Sequence, residues 1–406
     1  MKRIVACMLT LLLSICSGCG SADLVLDKKF RTDEYLPGFD TQDQYAESWY
    51  NIARAEDVYY VIMNNYLFYY DEATGMSGHL CGKAECMHNN ESCNAYLGLV
   101  TGIQVYDGHI YWLENWGVLY RADLNGENRE MVQAVKMAAG NRFAIQRGYL
   151  YTYIEASSAR GGKNYYDISI YRYKLGDKED KGVEIFTGAY AGMLHFQCRF
   201  YRNSIFIFLD HSEVVGEYNF HREILRYDAV TGEIEEFAVE DSTYQTYHLY
   251  IDDTGIHMLE LMVDEDGTRN LRRTVYNLTT GKKDSFEEIQ ESSDGYICAG
   301  ILDGYYVIVR GSIKLENTLS TYCVYDWEGN LVREGEFEGL WTQYYGVDEK
   351  GILIWNRYSD GSGSHEEISA FLKLTRIPVS SDEPDKILLN YVRPAGFLHE
   401  LVPVEE

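Results

Sequence analysis

Arg226-Tyr227-Asp228-Ala229-Val230-Thr231-Gly232 and Val275-Tyr276-Asn277-Leu278-Thr279-Thr280-Gly281 are two copies of one pattern. Each has an aromatic strand end, an Asp or Asn, and a short polar turn that closes on glycine. Earlier copies are Tyr69-Tyr70-Asp71-Glu72-Ala73-Thr74-Gly75, Tyr120-Arg121-Ala122-Asp123-Leu124-Asn125-Gly126 and Tyr171-Arg172-Tyr173-Lys174. Later ones are Val324-Tyr325-Asp326-Trp327-Glu328-Gly329 and Leu372-Lys373-Leu374-Thr375. The aligned positions are 71, 123, 174, 228, 277, 326 and 375, with spacings of 49 to 54 residues. Such even self-similarity is the mark of a structural repeat. The chemistry of the turn explains its residues: an Asp or Asn side chain bonds backbone amides just ahead of it, and glycine accepts the left-handed backbone that follows.

From the second copy on, each pattern is preceded by two short strands around a tight turn, as in Gln104-Val105-Tyr106-Asp107-Gly108-His109-Ile110-Tyr111 and Ile301-Leu302-Asp303-Gly304-Tyr305-Tyr306-Val307. Asp-Gly between alternating apolar residues is a strong hairpin signal. Each repeat therefore holds four antiparallel strands, termed a to d. No stretch has a long 3.6-residue apolar period, so helices are expected to be few and short. The expectation is an all-β chain forming a single seven-bladed β-propeller over residues 46–395, with six or eight blades as the nearest alternatives. A sandwich array or solenoid is the competing arrangement, but solenoid repeats are usually shorter. Trp49-Tyr50-Asn51-Ile52 is placed as strand a of the first blade, and residues 396–406 as a tail.

Composition agrees. The 406 residues are 46% hydrophobic and 24% charged, which excludes general disorder. With 36 Gly, 36 Tyr and 5 Pro, the chain is suited to many short strands joined by glycine turns. A formal net charge of −27 argues against nucleic acid as a partner and against adsorption on anionic lipid.

Met1-Lys2-Arg3 followed by the apolar run Ile4 to Ile15 has the layout of a secretory signal, too short to span a membrane. The ending Cys16-Ser17-Gly18-Cys19-Gly20 resembles the lipobox of bacterial lipoproteins, with Cys16 where leucine is usual. That resemblance implies a signal peptide over residues 1–18, lipidation of Cys19, and a flexible tether to residue 45. The chain is then expected on the outer face of the cytoplasmic membrane, held by its lipid.

Cys81, Cys86, His88 and Cys93 form the densest chemical motif, C-x4-C-x-H-x4-C. Three thiols and an imidazole suit a closed, structural zinc site. Outside the cell a disulfide, Cys81–Cys93 or Cys86–Cys93, competes with it, as do reduced thiols in an anaerobic setting. His79 is near enough to be a substitute ligand. Cys298 and Cys323 fall on strands a and c of one blade, with strand b between them, so a bond between them is not expected. With the lipobox and the Tyr-rich repeats, the segment Leu80-Cys81-x-Lys83-x-x-Cys86-x-His88, then Cys93-Asn94-Ala95, resembles lipoprotein β-propellers of Gram-positive anaerobes. Leu119-Tyr120-Arg121-Ala122-Asp123-Leu124-Asn125-Gly126 is similar to the repeat of low-density-lipoprotein-receptor-type propellers. These resemblances imply fold and location and bring no activity with them.

The b–c connections are read as long loops: Glu155 to Asp167, Asp210 to Glu223, Asp264 to Asn270, Gly311 to Ser320 and Arg357 to Glu367. In a propeller the b–c and d–a connections share one rim, and variable connections on a rigid scaffold are where binding usually resides. Binding candidates on that face are Trp116, Tyr165, Tyr166, His211, Tyr218, His221, Asp264, Asp266, Asp360 and His365, with Trp112 a further aromatic near the loops.

Catalytic signatures are lacking: the sequence has no G-x-S-x-G elbow, phosphate loop or dinucleotide fingerprint. His365-Glu366-Glu367-Ile368-Ser369 lacks the second histidine of a zincin. Asp252-Asp253-Thr254-Gly255 and Asp264-Glu265-Asp266-Gly267 read as hairpin turns rather than calcium loops. The expected function is therefore a binding module for a cell-surface protein or peptide. The alternative is a carbohydrate-binding or carbohydrate-active surface protein, in which aromatic faces stack on sugar rings.

Overall fold

The computed structural model describes residues 52–393, apart from 64, 84, 89, 115, 137–141, 214–218, 266–267, 293–295, 303, 312–318, 339–340, 349–350, 360–369 and 380–382, together with 402–403. Among the described residues there is no helix. The strands form seven sequential antiparallel meanders, the blades of a β-propeller.

Blade 1 holds β1 (Ile52–Ala55), β2 (Val58–Met63), β3 (Tyr66–Asp71) and β4 (Met76–His79). Blade 2 holds β5 (Val100–Tyr106), β6 (His109–Glu114), β7 (Val118–Asp123) and β8 (Glu130–Ala134). In blade 3 are β9 (Arg142–Gln146), β10 (Tyr149–Arg160), β11 (Lys163–Lys174) and β12 (Val183–Ala191). Blade 4 follows with β13 (Met193–Tyr201), β14 (Ser204–Ser212), β15 (Phe220–Asp228) and β16 (Ile234–Ser242). Blade 5 comprises β17 (Gln245–Ile251), β18 (Ile256–Val263), β19 (Arg269–Tyr276) and β20 (Lys283–Ser292). Blade 6 comprises β21 (Tyr296–Leu302), β22 (Tyr305–Gly311), β23 (Leu319–Asp326) and β24 (Leu331–Glu338). Blade 7 has β25 (Trp341–Asp348), β26 (Gly351–Ser359), β27 (Ala370–Ile377) and β28 (Lys386–Arg393), and β29 (Val402–Pro403) pairs on its outer edge. Strand β1 opens at Ile52; residues 49–51, placed with it from sequence, lie outside the described residues.

The repeat positions fall where the turn chemistry requires. Asp71, Asp123, Lys174, Asp228 and Asp326 each end strand c of their blades. Asp228 Oδ1 accepts the amides of Val230 and Thr231 at 2.8 and 2.9 Å, and Asn277 Oδ1 accepts those of Thr279 and Thr280 at 3.0 Å. The acidic turn at Asp252 closes in the same way, its Oδ1 accepting the amides of Thr254 and Gly255, so it is a hairpin turn, as expected.

Strand b is buried on both faces, which is why it reads as a continuous apolar run. On β14, Ile205, Ile207 and Leu209 join a core with blade 3, while Phe206 and Phe208 join one with blade 5. One such cluster fills each neighbouring pair of blades, and the cluster between blades 7 and 1 completes the ring. Among the described residues no strand is exchanged there: blade 1 is β1 to β4 and blade 7 is β25 to β29. Besides apolar packing of Tyr59, Phe68 and Tyr70 with Leu374, Leu389 and Tyr391, the seam carries an ion pair of Arg376 with Glu72, which also has Lys386 at 3.9 Å.

Gly192, in the turn from blade 3 to blade 4, has φ +90°, and a Cβ there would lie 2.0 Å from the Ser212 carbonyl oxygen. Gly192→Ala is expected to cost about 1–3 kcal/mol in strain, with more from the clash. Chemical denaturation checks this, and a variant as stable as the wild type would contradict the close approach.

Candidate metal centre and binding rim

The segment between β4 and β5 carries the Cys-His motif. It is fastened to the β2–β3 turn and the start of β3: Leu67 donates its amide to Ala95 O, Leu97 donates to Asn65 O, and Leu80 donates to Leu67 O, each at 2.8 Å. Folded back this way, the sulfurs of Cys81, Cys86 and Cys93 and a ring nitrogen of His88 all lie within 4.8 Å of one another. His88 Nδ1 is 3.3 Å from Cys93 Sγ, and the Ala95 amide donates to that sulfur, also at 3.3 Å. No described cysteine is in a disulfide.

Thiol chemistry differs across the group. Burial, with the neighbouring Cys86 and Cys81 sulfurs, pushes the Cys93 thiol up to about 12. Burial acts in the same sense on Cys81, but the amides of Lys83 and Asn94 outweigh it and lower that thiol. His79 is not a fifth member of the donor group. Its ring stacks on His88 with centroids 4.5 Å apart, and burial followed by the His88 charge lowers it to about 4. Its Nε2 is buried without a hydrogen-bond partner. Three sulfurs and one nitrogen, half-buried to buried, fit a tetrahedral soft-metal site and leave no position open for chemistry. The segment can brace the fold.

On the rim, the structure corrects several expectations: of the expected Asp210 to Glu223 loop, Asp210–Ser212 and Phe220–Glu223 are the paired ends of β14 and β15. Glu155 to Asp167 is not a loop but a continuation of β10 and β11, paired from Glu155↔Ile168 to Arg160↔Lys163. Gly161 and Gly162, at φ +59° and +81°, make the two-residue turn that suits right-handed strand twist. β12 pairs with β11 as far as Tyr165↔Ala191, and Gly192 donates its amide to Asn164 O at 2.9 Å, so only the tip from Arg160 to Lys163 stands clear of β12. Tyr165 and Tyr166 are half-buried on the hairpin's flank, with the Arg160 guanidinium 5.3 Å from the Tyr165 ring. Trp116 stands in the turn between β6 and β7 with 70% of its surface exposed. Trp112, by contrast, is buried at 1%, stacked on Tyr120 under the Arg129 guanidinium, so its aromatic face is unavailable to a ligand. Asp264 is exposed in the β18–β19 turn and accepts from Asn270 Nδ2 at 2.8 Å. His211 and His221 face each other across β14 and β15. Cys19, Tyr218, Asp266, Asp360 and His365 lie outside the described residues.

Beneath this rim is an ionic cluster that sequence reading missed. Arg222 bonds Asp210 through Nε at 2.7 Å and Nη2 at 3.2 Å, pairs with Glu260 of blade 5 through Nη1, and donates to Tyr244 O at 2.9 Å. Glu260 also accepts from Arg272 Nε at 2.8 Å and from the Thr274 hydroxyl. Burial would raise the Asp210 and Glu260 carboxyls, but the Arg222 guanidinium and the surrounding donors outweigh it and hold both below the usual carboxylate range. Asp210 neighbours His211, and Arg222 lies between His221 and Glu223. The cluster therefore fixes the strand ends that carry the histidines. Its partners come from different blades, so no local motif announces it.

No protein-family profile and no curated protein matches the sequence. Among solved structures the chain is similar to BamB from Moraxella catarrhalis, at 12% identity and TM-score 0.33 over 75% of this chain and 78% of that one. It is also similar to the Dos1 propeller, at 11% identity and TM-score 0.42 over 86% and 91% of the two chains. A third likeness is Sqt1 of Saccharomyces cerevisiae, at 10% identity and TM-score 0.43 over 91% and 99%. The propeller assignment rests on the strand pairing, and no function is drawn from these likenesses.

Proposed function

We propose that the chain is a lipid-anchored, extracytoplasmic binding module that takes a protein or peptide partner on its b–c rim, with a structural zinc ion held by Cys81, Cys86, His88 and Cys93. The observation that carries the binding reading is the β10–β11 hairpin. It is a stiff, exposed projection, mounted on blades that pack tightly beneath it. Its exposed Ser157, Arg160 and Lys163 offer polar contacts around the half-buried tyrosines. Three thiolates and a histidine favour zinc over a hard cation. The anchor rests on the lipobox-like ending at Cys19.

The test is cross-linking on intact cells from a photoreactive residue placed at Ala159, together with thermal unfolding of the purified protein against an oligosaccharide panel. Capture of one defined partner, lost when residues 157–164 are shortened to a tight turn, is the expected result. The panel is expected to be flat. A dose-dependent shift with one glycan class, about 2.7 kcal/mol of stabilisation at a hundred times its Kd, would replace the protein-partner reading with the carbohydrate one and direct attention to the exposed indole of Trp116.

A further inference from the structure

We propose that His211, His221 and Glu223 form a second metal site, open to solvent, that takes a divalent transition ion of the zinc, cobalt or nickel class at the rim between blades 3 and 4. The register places the donors. His211 pairs directly with His221 across β14 and β15, and Glu223 follows His221 by two residues, so all three project from the same sheet face. That face is the one turned toward blade 3: Leu209 on β14 and Leu225 on β15 point the same way and pack into the core shared with that blade. At the rim the apolar packing ends and the polar donors begin, with the Tyr190 ring of blade 3 centred 4.9 Å from the His211 ring.

Their distances suit chelation. One ring nitrogen or carboxylate oxygen from each residue lies within 4.8 Å of the others. His211 Nε2 is 3.2 Å from Glu223 Oε1, and His221 Nε2 is 4.0 Å from the same oxygen. Two neutral imidazoles and one carboxylate are a donor set for borderline divalent ions and leave coordination positions free. The next strand supplies orientation. Asp241, paired with His221 across β15 and β16, places Oδ1 2.8 Å from Nδ1. A carboxylate there fixes the imidazole tautomer with the proton on Nδ1, so that Nε2 is free to ligate.

Exposure separates this site from the cysteine cluster. The His211, His221 and Glu223 side chains are 21%, 44% and 27% exposed, so an ion held there faces water and can accept a further oxygen or nitrogen donor. The mount is rigid because Asp210 and Arg222, on the opposite face of the same strands, are locked into the buried ionic cluster. The proposal concerns the ion and stands whether or not the rim takes a protein partner.

The test is Co2+ titration of the full-length protein after chelation and reduction, followed by absorbance. Cobalt bound by three cysteines gives an intense sulfur-to-metal charge-transfer band, whereas cobalt on histidine and carboxylate gives only weak visible bands. Uptake of a further equivalent that adds no charge-transfer intensity is expected. That equivalent should be lost in His221→Ala and in Glu223→Gln, and Asp241→Asn should weaken it by about 10–100-fold. If binding ends with the charge-transfer band, the rim site is refuted. It is equally refuted if His221→Ala and Glu223→Gln, melting as the wild type does, bind as many ions with the same affinity. Lack of a charge-transfer band would count against the cysteine site alone.

Discussion

Arg222→Met is expected to lower the unfolding free energy by about 3–5 kcal/mol at neutral pH, the usual cost of removing one partner from a buried ion pair. The side chains of Arg222, Asp210 and Glu260 are 1%, 1% and 0% exposed, so no solvent replaces the lost guanidinium. The triple replacement Asp210→Leu, Arg222→Met, Glu260→Leu should recover part of that loss, because it removes three buried charges together with their desolvation cost, although it takes Glu260 away from Arg272. Acid titration distinguishes the two cases further. Both carboxyls titrate below their unfolded values, so their contribution is full above about pH 4–5 and disappears as pH falls through the depressed folded values. In Arg222→Met, Asp210 loses the guanidinium that offsets its burial, so acidification relieves it. The stability gap between wild type and variant should therefore narrow from pH 7 toward pH 4. Equal stability at pH 7, measured by chemical denaturation, would show that the cluster is not holding blades 4 and 5 together.

The second large effect is expected at the cysteine segment. Cys93→Ser removes the most buried of the four donors and should abolish stoichiometric zinc. At a thousand-fold excess of free zinc over Kd, the wild type gains about 4.1 kcal/mol from the ion, and the variant gains none. Loss of the ion should loosen residues 80–97, which limited proteolysis detects as a new cleavage. A chelator should reproduce this in the wild type and have no further effect on Cys93→Ser. If reductant rather than chelator loosens the segment, a disulfide holds it and the zinc reading is wrong.

Strand count and blade order were legible because the turn residues are dictated locally: Asp228 and Asn277 satisfy their own turns, and glycine follows where the backbone becomes left-handed. The convergence of Cys81, Cys86, His88 and Cys93 was equally local. The β10–β11 extension was harder. Ser157, Ser158, Ala159 and Arg160 carry no apolar alternation because that stretch of the hairpin is largely exposed, and composition alone makes them a loop. The Gly161-Gly162 dipeptide was the overlooked signal. Trp112 was misjudged for a different reason, since its burial depends on Tyr120 and Arg129 closing over it. The Arg222 cluster and the grouping of Glu223 with two histidines depend on pairing register and on a neighbouring blade. Such contacts leave no imprint on a single stretch of sequence.

The seam between blades 7 and 1 makes the ring resemble a lock washer rather than a welded hoop. Elsewhere adjacent blades are joined by continuous chain. At this boundary, the described residues offer only side chains: Arg376 on Glu72, and tyrosines and leucines packed between them. A pull exerted through the amino-terminal segment reaches blade 1 first and is borne by that cut. Among the described blade boundaries, this one is therefore the mechanically weakest.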